Sequence, residues 1–306
     1  RYDAMALADL KVAAGHSSAV LAGGVEMMSR VPLMADRARV FADHEYGVSH
    51  QVLLMGAGAD LIAERVGASR ADCDAVAYLS HRRALRAQHE GRFTSVVPIK
   101  TPSGSVSLDE CIRPSLTAER LAAMPPAFLT LGAAGSDAVQ LSQYPGLTKI
   151  THVHTAGNSP AMCDAAAVLL VGSKMLASDQ GLTPKVRIVD SVTCCGEPLE
   201  VVSGCVAATK AILSRNKLSP SDVDVFEIHE AFAATIVKLQ RELEIDSDRL
   251  NINGGCIALG HPMGATGAIM AGTAIDELMR CDGSIGIIAA SGAAGSGSAL
   301  LVERCY

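Results

Sequence analysis

The chain has no tryptophan, and its ten other aromatic residues, five Tyr and five Phe, make up only 3% of the sequence. A core built on stacked aromatic rings is therefore excluded. Nearly half of the 306 residues, 49%, are hydrophobic all the same. Ala, Val, Leu, Ile and Met must build the core, and Gly lets neighbouring elements approach closely. This composition favours a tightly packed α/β protein of one large domain or two ordinary ones.

An excess of positive charge is also missing, since the formal net charge is −6 and no basic stripe occurs. Nucleic-acid binding, which rests on clustered Lys and Arg, is therefore excluded. No apolar run is long enough to span a membrane. Residues 1–10 are amphipathic and show no signal peptide. We expect a cytoplasmic protein that acts on a small molecule.

The nine cysteines are scattered and lack the paired spacing typical of metal ligands. Cys194 and Cys195 are adjacent, which is poor geometry for one shared ion. We therefore expect reduced, mostly buried thiols and no metal site.

Predicted strands and helices alternate along the chain, which indicates a layered α/β fold. Apolar residues at helical spacing predict helices over 3–14, 53–66, 70–91, 200–216, 231–243 and 265–280. Short apolar runs predict strands over 18–24, 151–155, 186–195, 223–228, 285–290 and 298–303, with 162–170 starting as helix and ending as strand. The last two strands form an antiparallel hairpin. Residues 30–49 and 98–144 lack periodicity and are predicted to be irregular.

The glycine-rich run NINGGCIALGHPMGATG at residues 251–267 is the most informative segment. Glycine tolerates unusual backbone dihedral angles, so such a run can bring the main chain close to a ligand. It presents His261 on a turn, where the pKa of a histidine can be tuned near neutrality. His229, in the sequence EIHEAF, lies where a predicted strand meets a helix. Two histidines on separate turns predict a site assembled from loop ends.

These motifs, taken in order, resemble the thiolase superfamily over essentially the whole chain. The resemblance rests on HEAFA at 229–233, the run at 251–267, the small-residue turn after Ser291, LAGGVEMMSR at 21–30, Met55-Gly56, TAGNS at 155–159, and Arg113-Pro114 with Thr117, Glu119 and Phe128. Within the superfamily, the chain is most similar to bacterial acetyl-CoA acyltransferases of fatty-acid oxidation.

The resemblance implies an α/β fold: a five-layer α-β-α-β-α sandwich of two related βαβαβαββ halves. Residues 1–30 and 148–181 would be the remainder of a truncated N-terminal half. Residues 31–147 would form an inserted loop subdomain, and residues 182–306 the C-terminal half. Relatives form dimers or tetramers, so the resemblance implies a homodimer or homotetramer, alone or in a complex with other β-oxidation subunits. We expect the isolated chain to be poorly soluble or marginally stable, because sheet edges and apolar faces would be exposed.

The resemblance also implies cleavage of a 3-ketoacyl-CoA by CoA, or the reverse condensation. Coenzyme A and acyl-CoA are substrates, and no cofactor is bound. A cysteine accepts the acyl group, a histidine activates it, a second cysteine acts on the α-carbon, and two oxyanion holes hold the carbonyl charge. His261 matches the activating histidine; the alternative is a histidine that only bonds a loop carbonyl. His229 matches the Asn-or-His position that orients a water or donates to the thioester oxygen; the alternative is a helix cap.

Five more residues match family positions along the pantetheine arm and acyl chain. They are Met55, Ala156, Ser159, Ala231 and Phe232. Small residues suit a narrow tunnel, whereas core packing is the alternative reading for Met55 and Phe232. Glu230 and Asn158 are expected to be structural.

The sequence departs from the superfamily pattern at three places. The nucleophilic cysteine of relatives lies a few residues ahead of the segment matching Tyr2, in a Cys-x-Ser-Gly turn, and no cysteine of this sequence matches it. Ser291 stands where the acid/base cysteine is expected, and a hydroxyl is a poor proton shuttle because its pKa lies far above that of a thiol. Ala293 replaces a glycine of that turn, although its N–H could serve an oxyanion hole. Pro160 replaces a small residue that contacts CoA.

Two readings follow from these departures. The chain is a thiolase that acts on 3-ketoacyl-CoA or acetoacetyl-CoA, or it is a non-catalytic relative that binds acyl-CoA or steroid-CoA or supports a partner subunit. A generic nucleotide-binding domain is a weaker third reading. Neither Gly23-Gly24 nor Gly254-Gly255 has the G-x-G-x-x-G spacing after a strand.

Overall fold

The computed structural model describes residues 3–102 and 104–306, so predictions that include residues 1 and 2 lie partly outside it. The helices are α1 (Asp3–Ala13), α2 (Arg39–Ala42), α3 (His44–Ser49), α4 (Met55–Val66), α5 (Arg70–His89), α6 (Ala118–Ala122), α7 (Leu129–Leu131), α8 (Asp137–Gln143), α9 (Lys174–Asp179), α10 (Gly204–Arg215), α11 (Ala233–Leu243), α12 (Cys256–Leu259) and α13 (Thr266–Cys281). The strands are β1 (Ala19–Glu26), β2 (Ile99–Thr101), β3 (Gly104–Val106), β4 (Ala165–Gly172), β5 (Val186–Cys195), β6 (Val225–Ile228), β7 (Ile285–Ser291) and β8 (Ser296–Arg304).

The C-terminal part of the chain forms a four-stranded sheet in the order β5-β8-β7-β6. Strands β6 and β7 are parallel, whereas β8 runs antiparallel to both β7 and β5. The predicted closing hairpin is thus confirmed. Strands β6, β7 and β8 are buried on both faces along most of their length, as expected of strands between two helix layers.

A second sheet pairs β1 with β4 in antiparallel register, from Ala19 opposite Gly172 to Glu26 opposite Ala165. Burial alternates along β4, so only one of its faces is covered. That face packs on α13, through the partly buried Leu169 and Val171. The opposite face of the pair is exposed.

Helix α13 lies between the two sheets and contacts β1 and β4 on one side and β6 and β7 on the other. Helix α10 covers the far face of the four-stranded sheet. The described residues therefore form four successive layers, β-α-β-α, which agrees with the predicted α/β sandwich. The fifth layer of the prediction, a helix layer on the outer face of the β1–β4 pair, does not occur among the described residues.

The region between the two sheet-forming parts contains more helix than predicted. Residues 30–49 include α2 and α3, and residues 98–144 include a small β2–β3 hairpin and the helices α6, α7 and α8. These helices are too short to show a helical period in sequence. The long helices were predicted well, and the capping box of Ser69 and Asp72 at the start of α5 is confirmed. Helices α4 and α5 pack against α11 of the C-terminal part.

Two predicted elements are wrong. Residues 151–155 form no strand, because the N–H groups of Val153 and His154 donate to the buried carboxylate of Asp60 rather than to a neighbouring strand. Residues 162–164 are not helical, and β4 starts at Ala165 because its alanines pair with β1. In this case strand pairing overrides the helical propensity of alanine. No helix in the described part of the chain is long and apolar enough to cross a membrane.

Candidate active site

His229 lies at the carboxyl end of β6, where the chain leaves the sheet. Its N–H donates to the carbonyl of Ala289 on the parallel strand β7 at 2.8 Å, which extends the ladder by one residue. The side chain is buried. The strand pairing thus fixes the His229 backbone at the same sheet edge as the end of β7.

His261 lies in the turn between α12 and α13, and its side chain is also buried. Gly260 precedes it with a φ of +79°, a left-handed conformation that favours glycine. The N–H of His261 donates to the carbonyl of Ala161 at 2.7 Å. The glycine-rich run therefore does what its composition predicts: it turns sharply and holds one histidine at a fixed position.

The two predicted histidines come together. The Nε2 atom of His229 is 3.3 Å from the Nδ1 atom of His261, and their ring centroids are 4.5 Å apart. The Nδ1 atom of His261 also lies 2.8 Å from the Oγ1 atom of Thr266, whose hydroxyl donates to the carbonyl of Pro262 at 3.0 Å. Because that hydroxyl has one proton, its oxygen acts as an acceptor toward His261. This favours the tautomer with the proton on Nδ1 and makes Nε2 the basic nitrogen of His261.

The side chain of Glu230 stabilises the conformation of the glycine-rich run. Its buried carboxylate accepts hydrogen bonds from the Ser80 hydroxyl at 2.7 Å, the Asn251 amide at 3.0 Å and the Ile257 N–H at 3.0 Å. A Cβ at Gly255 would lie 2.3 Å from the Glu230 carboxyl carbon, so glycine is required for this approach. Burial raises the pKa of Glu230, and the three hydrogen bonds oppose that shift.

Ser291 is the last residue of β7, and its side chain is buried. The Oγ atom accepts a hydrogen bond of 2.9 Å from the N–H of Cys205, in the first turn of α10. Ser291 is two residues beyond Ala289, the partner of the His229 N–H, so it shares a sheet edge with that histidine. Its hydroxyl oxygen is directed to a helix N-terminus, a position that favours partial negative charge.

Ala293 lies in the exposed turn between β7 and β8. Its carbonyl accepts hydrogen bonds from the N–H and the hydroxyl of Ser296, at 3.1 and 2.8 Å. Ala294 and Gly295 follow with positive φ values of 52° and 76°. The turn is tight and consists of small residues, and the oxyanion role of the Ala293 N–H stays a prediction.

Three of the five predicted substrate-binding residues share one apolar core. Met55 begins α4, while Ala231 and Phe232 precede α11, and all three pack in the same cluster. The Phe232 ring meets the rings of Phe128 and His154 edge-on, with centroids 5.7 and 5.4 Å apart. Each of the three residues is therefore packed on at least one side by protein atoms.

Ala156 and Ser159 lie in the turn that ends at the same core. Ala156 is exposed, and its carbonyl accepts from Arg113 at 3.4 Å. The Oγ atom of Ser159 is buried and has no protein hydrogen-bond partner in the part of the chain that the structure describes. Asn158 stabilises the turn. Its side-chain oxygen accepts a hydrogen bond from the Thr155 N–H at 2.8 Å, and its main-chain carbonyl accepts one from the N–H of Ala233.

Cys256 is a residue at this site that sequence reasoning did not single out. Its Sγ atom, one ring nitrogen of His229 and one ring nitrogen of His261 all lie within 4.8 Å of one another. The only signal in the sequence was its position inside the glycine-rich run, five residues before His261. No pair spacing marked it as a ligand, because the fold brings the three residues together from separate turns.

Comparison with known proteins agrees with this geometry. Residues 2–142 match the family model of the thiolase N-terminal domain, and residues 182–304 match that of the thiolase C-terminal domain. A 3-ketoacyl-CoA thiolase of Colwellia psychrerythraea is 33% identical over 99% of this chain and 75% of its own length. A 3-oxoadipyl-CoA/3-oxo-5,6-dehydrosuberyl-CoA thiolase of Escherichia coli is 35% identical over 99% of this chain and 76% of its own length. A 3-ketoacyl-CoA thiolase of Bacillus subtilis is 33% identical over 98% of this chain and 75% of its own length. The predicted superfamily is thereby confirmed, and the chain belongs to the thiolase family.

Proposed function

We propose that the protein is an acyltransferase that cleaves a 3-ketoacyl-CoA with CoA, or runs the reverse condensation, in fatty-acid breakdown. The observation that carries this proposal is the pair of buried histidines, 3.3 Å apart on two turns, in a chain that belongs to the thiolase family. Relatives that share about a third of its residues are named 3-ketoacyl-CoA thiolase. Coenzyme A and the acyl-CoA are substrates, and no resident cofactor is needed.

In this proposal His261 is the base. Its Nδ1–H donates to Thr266, which leaves Nε2 as the basic nitrogen that takes the proton of a thiol. The thiol is first the acyl-accepting cysteine, which the family resemblance places ahead of the segment matching Tyr2, and then the thiol of CoA. Deprotonation creates the thiolate that attacks the carbonyl carbon.

His229 stabilises the negative charge that develops on the thioester oxygen, directly or through an oriented water. Its fixed backbone and its contact with His261 keep the ring in one place, so little reorganisation accompanies the reaction. The exposed turn at Ala293 would supply a backbone N–H for the second oxyanion. Ser291 occupies the acid/base position, where it exchanges the α-carbon proton less well than a thiol would.

Acyl-CoA would reach these residues along the core that contains Met55, Ala231 and Phe232. The turn of Ala156 and Ser159 borders that core, and the buried Ser159 hydroxyl has the capacity to bond a polar group of the pantetheine arm. A homodimer or homotetramer is also proposed, alone or in a complex with other β-oxidation subunits, because the relatives that the chain resembles form dimers or tetramers. The proposed location is the cytoplasm.

A non-catalytic thiolase-like protein that binds acyl-CoA or steroid-CoA is the second candidate. The observation that favours it is the Ser291 hydroxyl, which stands at the acid/base position and bonds the α10 terminus. A thiolase needs a group whose proton exchanges readily at the acid/base position.

Thiolysis of acetoacetyl-CoA by CoA, followed through the absorbance of the magnesium enolate, separates the two candidates. The measurement uses the full-length gene product, its His261→Ala and His229→Ala variants, and Cys281→Ala as an exposed control. We expect His261→Ala to lower kcat by about 10²–10⁴-fold and His229→Ala by about 10²–10³-fold. The control should retain the parent rate. Absence of turnover in the parent protein, with acyl-CoA still bound, would support the non-catalytic candidate.

A further inference from the structure

The two histidines and Cys256 form a compact set of metal-binding side chains. Three segments supply them: the end of β6, the first turn of α12 and the turn that follows α12. All three side chains are buried, and their ligand atoms lie within 4.8 Å of one another. We propose that these three residues bind Zn²⁺ and that the bound ion inhibits the enzyme; the inhibition rests on the proposed function.

The spacing of the donor atoms suits a tetrahedral ion. Zn–N bonds of about 2.0–2.1 Å hold two nitrogen ligands about 3.3 Å apart in a tetrahedral site. The Nε2 atom of His229 and the Nδ1 atom of His261 are already 3.3 Å apart. With a Zn–S bond of about 2.3 Å, the sulfur would lie about 3.6 Å from each nitrogen. Because Cys256 Sγ lies within 4.8 Å of a ring nitrogen of each histidine, a movement of roughly 1 Å brings the sulfur to bonding distance of a shared ion.

The chemistry of the donors selects the ion. Two imidazoles and one thiolate match Zn²⁺, whereas Mg²⁺ and Ca²⁺ require oxygen ligands. Three protein ligands leave a fourth position for water. Binding releases the proton of the Cys256 thiol to solvent and forms the Zn–S bond, with no change of oxidation state. Coordination through Nδ1 of His261 replaces its contact with the Thr266 hydroxyl, and the proton of Nδ1 moves to Nε2 of the same ring.

Inhibition follows from the identity of the ligands. When Nδ1 of His261 coordinates zinc, the ring proton lies on Nε2, so Nε2 cannot accept the proton of a thiol. The coordinated ring nitrogen of His229 is likewise not available to a thioester oxygen. The zinc-bound protein would then be inactive, because both histidines coordinate the ion. A chelator that removes the ion restores both rings.

A second pair of thiols provides the rival explanation for any metal binding. A Cβ at Gly260 would lie 2.5 Å from the Sγ atom of Cys163 and 2.8 Å from that of Cys111. These two cysteines are half-buried next to the turn of His261, so they could take up a soft metal independently of the histidines. The experiment therefore needs variants of both sets.

Cobalt(II) is the spectroscopic probe for zinc. Titration of the metal-free, full-length protein with Co²⁺ should give one equivalent per chain, the visible bands of a tetrahedral ion and a thiolate-to-cobalt charge-transfer band. Cys256→Ala should lose the charge-transfer band and bind Zn²⁺ at least about 100-fold more weakly in competition with a chromophoric chelator, since even outer-sphere changes cost about 10–100-fold. Cys205→Ala, a buried cysteine outside the cluster, is the matched control and should bind like the parent.

The proposal is overturned if the parent protein shows no thiolate-to-cobalt band, or if that band persists in Cys256→Ala and disappears in Cys111→Ala. It is equally overturned if stoichiometric Zn²⁺ leaves thiolysis of acetoacetyl-CoA unchanged in a protein that turns over. Metal binding is measured without substrate, so a failure of the proposed function would leave the binding result readable.

Discussion

The two sheets of this molecule differ in what covers their outer faces. On the four-stranded sheet, helix α10 buries the outer residues, and Leu301 of β8 is only 3% exposed. On the β1–β4 pair, the corresponding outward leucines and valines are open to solvent. They are Leu21 at 72%, Val25 at 63%, Val168 at 64% and Leu170 at 56% exposure. Strands of similar composition therefore have opposite environments, and the neighbouring layer makes the difference.

The candidate site stands on the covered sheet. His229 and Ser291 come from the ends of two strands that are buried on both faces, and such strands hold their ends with little freedom. The open pair contributes at the end of β1, where the carboxylate of Glu26 accepts from the Gly264 N–H at 3.1 Å. The four-stranded sheet, which is covered on both faces, thus carries the site, and the β1–β4 pair, which is covered on one face, supports the glycine-rich run.

The largest effect expected from this comparison is on stability. Leu301→Ala and Leu170→Ala remove the same atoms from the outer faces of β8 and β4. Leu301→Ala should lower the free energy of unfolding by about 2–5 kcal/mol, because it leaves a cavity under α10. Leu170→Ala should change it by about 0.5 kcal/mol or less, because the side chain is already hydrated. Urea denaturation of both variants measures the difference.

Equal losses in the two leucine variants would break the comparison, since they would mean that the outer face of β4 is covered in solution. Leu21→Ala, on the neighbouring strand and also exposed, is the matching control for that face. It should behave like Leu170→Ala.

A smaller effect is expected from the two carboxylates that hold the glycine-rich run. Glu230→Ala leaves three buried donors without their acceptor and should cost about 1–3 kcal/mol of unfolding free energy. Glu26→Ala removes an acceptor at the surface and should cost about 0.5 kcal/mol or less. Thermal unfolding of the two variants side by side checks this order, and a larger loss for Glu26→Ala would contradict it.

The last expected effects concern pH, and two carboxylates should respond with opposite sign: Glu227 in β6 of the covered sheet and Asp43 ahead of α3. Burial holds the pKa of Glu227 well above its ordinary 4.5, so the folded protein keeps a proton that the unfolded chain loses. Stability should therefore fall as the pH rises from about 4.5 toward that raised pKa, by at most about 1.4 kcal/mol for each pH unit. Glu227→Gln should remove this slope and be more stable than the parent at neutral pH.

Asp43, in the region of short helices, should show the reverse. The N–H of Tyr46 donates to its carboxylate and lowers the pKa of Asp43 below its ordinary 3.8. Its contribution to stability is therefore complete above about pH 4 and is lost as the pH falls through the lowered pKa. Asp43→Asn should reduce the pH dependence of the unfolding free energy only on the acid side, below about pH 4. Urea unfolding across a pH series tests both variants, and identical profiles for parent and Glu227→Gln would refute the first expectation.

Sequence reasoning succeeded where a pattern repeats over enough residues. Helices α5, α11 and α13 were located from their apolar spacing, and β7 and β8 from apolar runs on either side of a glycine turn. It missed the helices between residues 30 and 49, which are only four and six residues long. It also placed a strand over 151–155, where the backbone donors bond the side chain of Asp60. That contact spans about ninety positions and leaves no local trace.

The sequence by itself determined the family, the α/β class and the two histidines, because glycine-rich turns and apolar periods are local properties of a chain. The tertiary structure alone decided that those histidines are 3.3 Å apart, that Thr266 sets the tautomer of one of them, and that Cys256 joins them. It also decided which of two similar sheets is covered. The physical reason is the same in each case: distance and burial depend on contacts between segments that are remote in sequence, and these contacts exist only after the chain has folded.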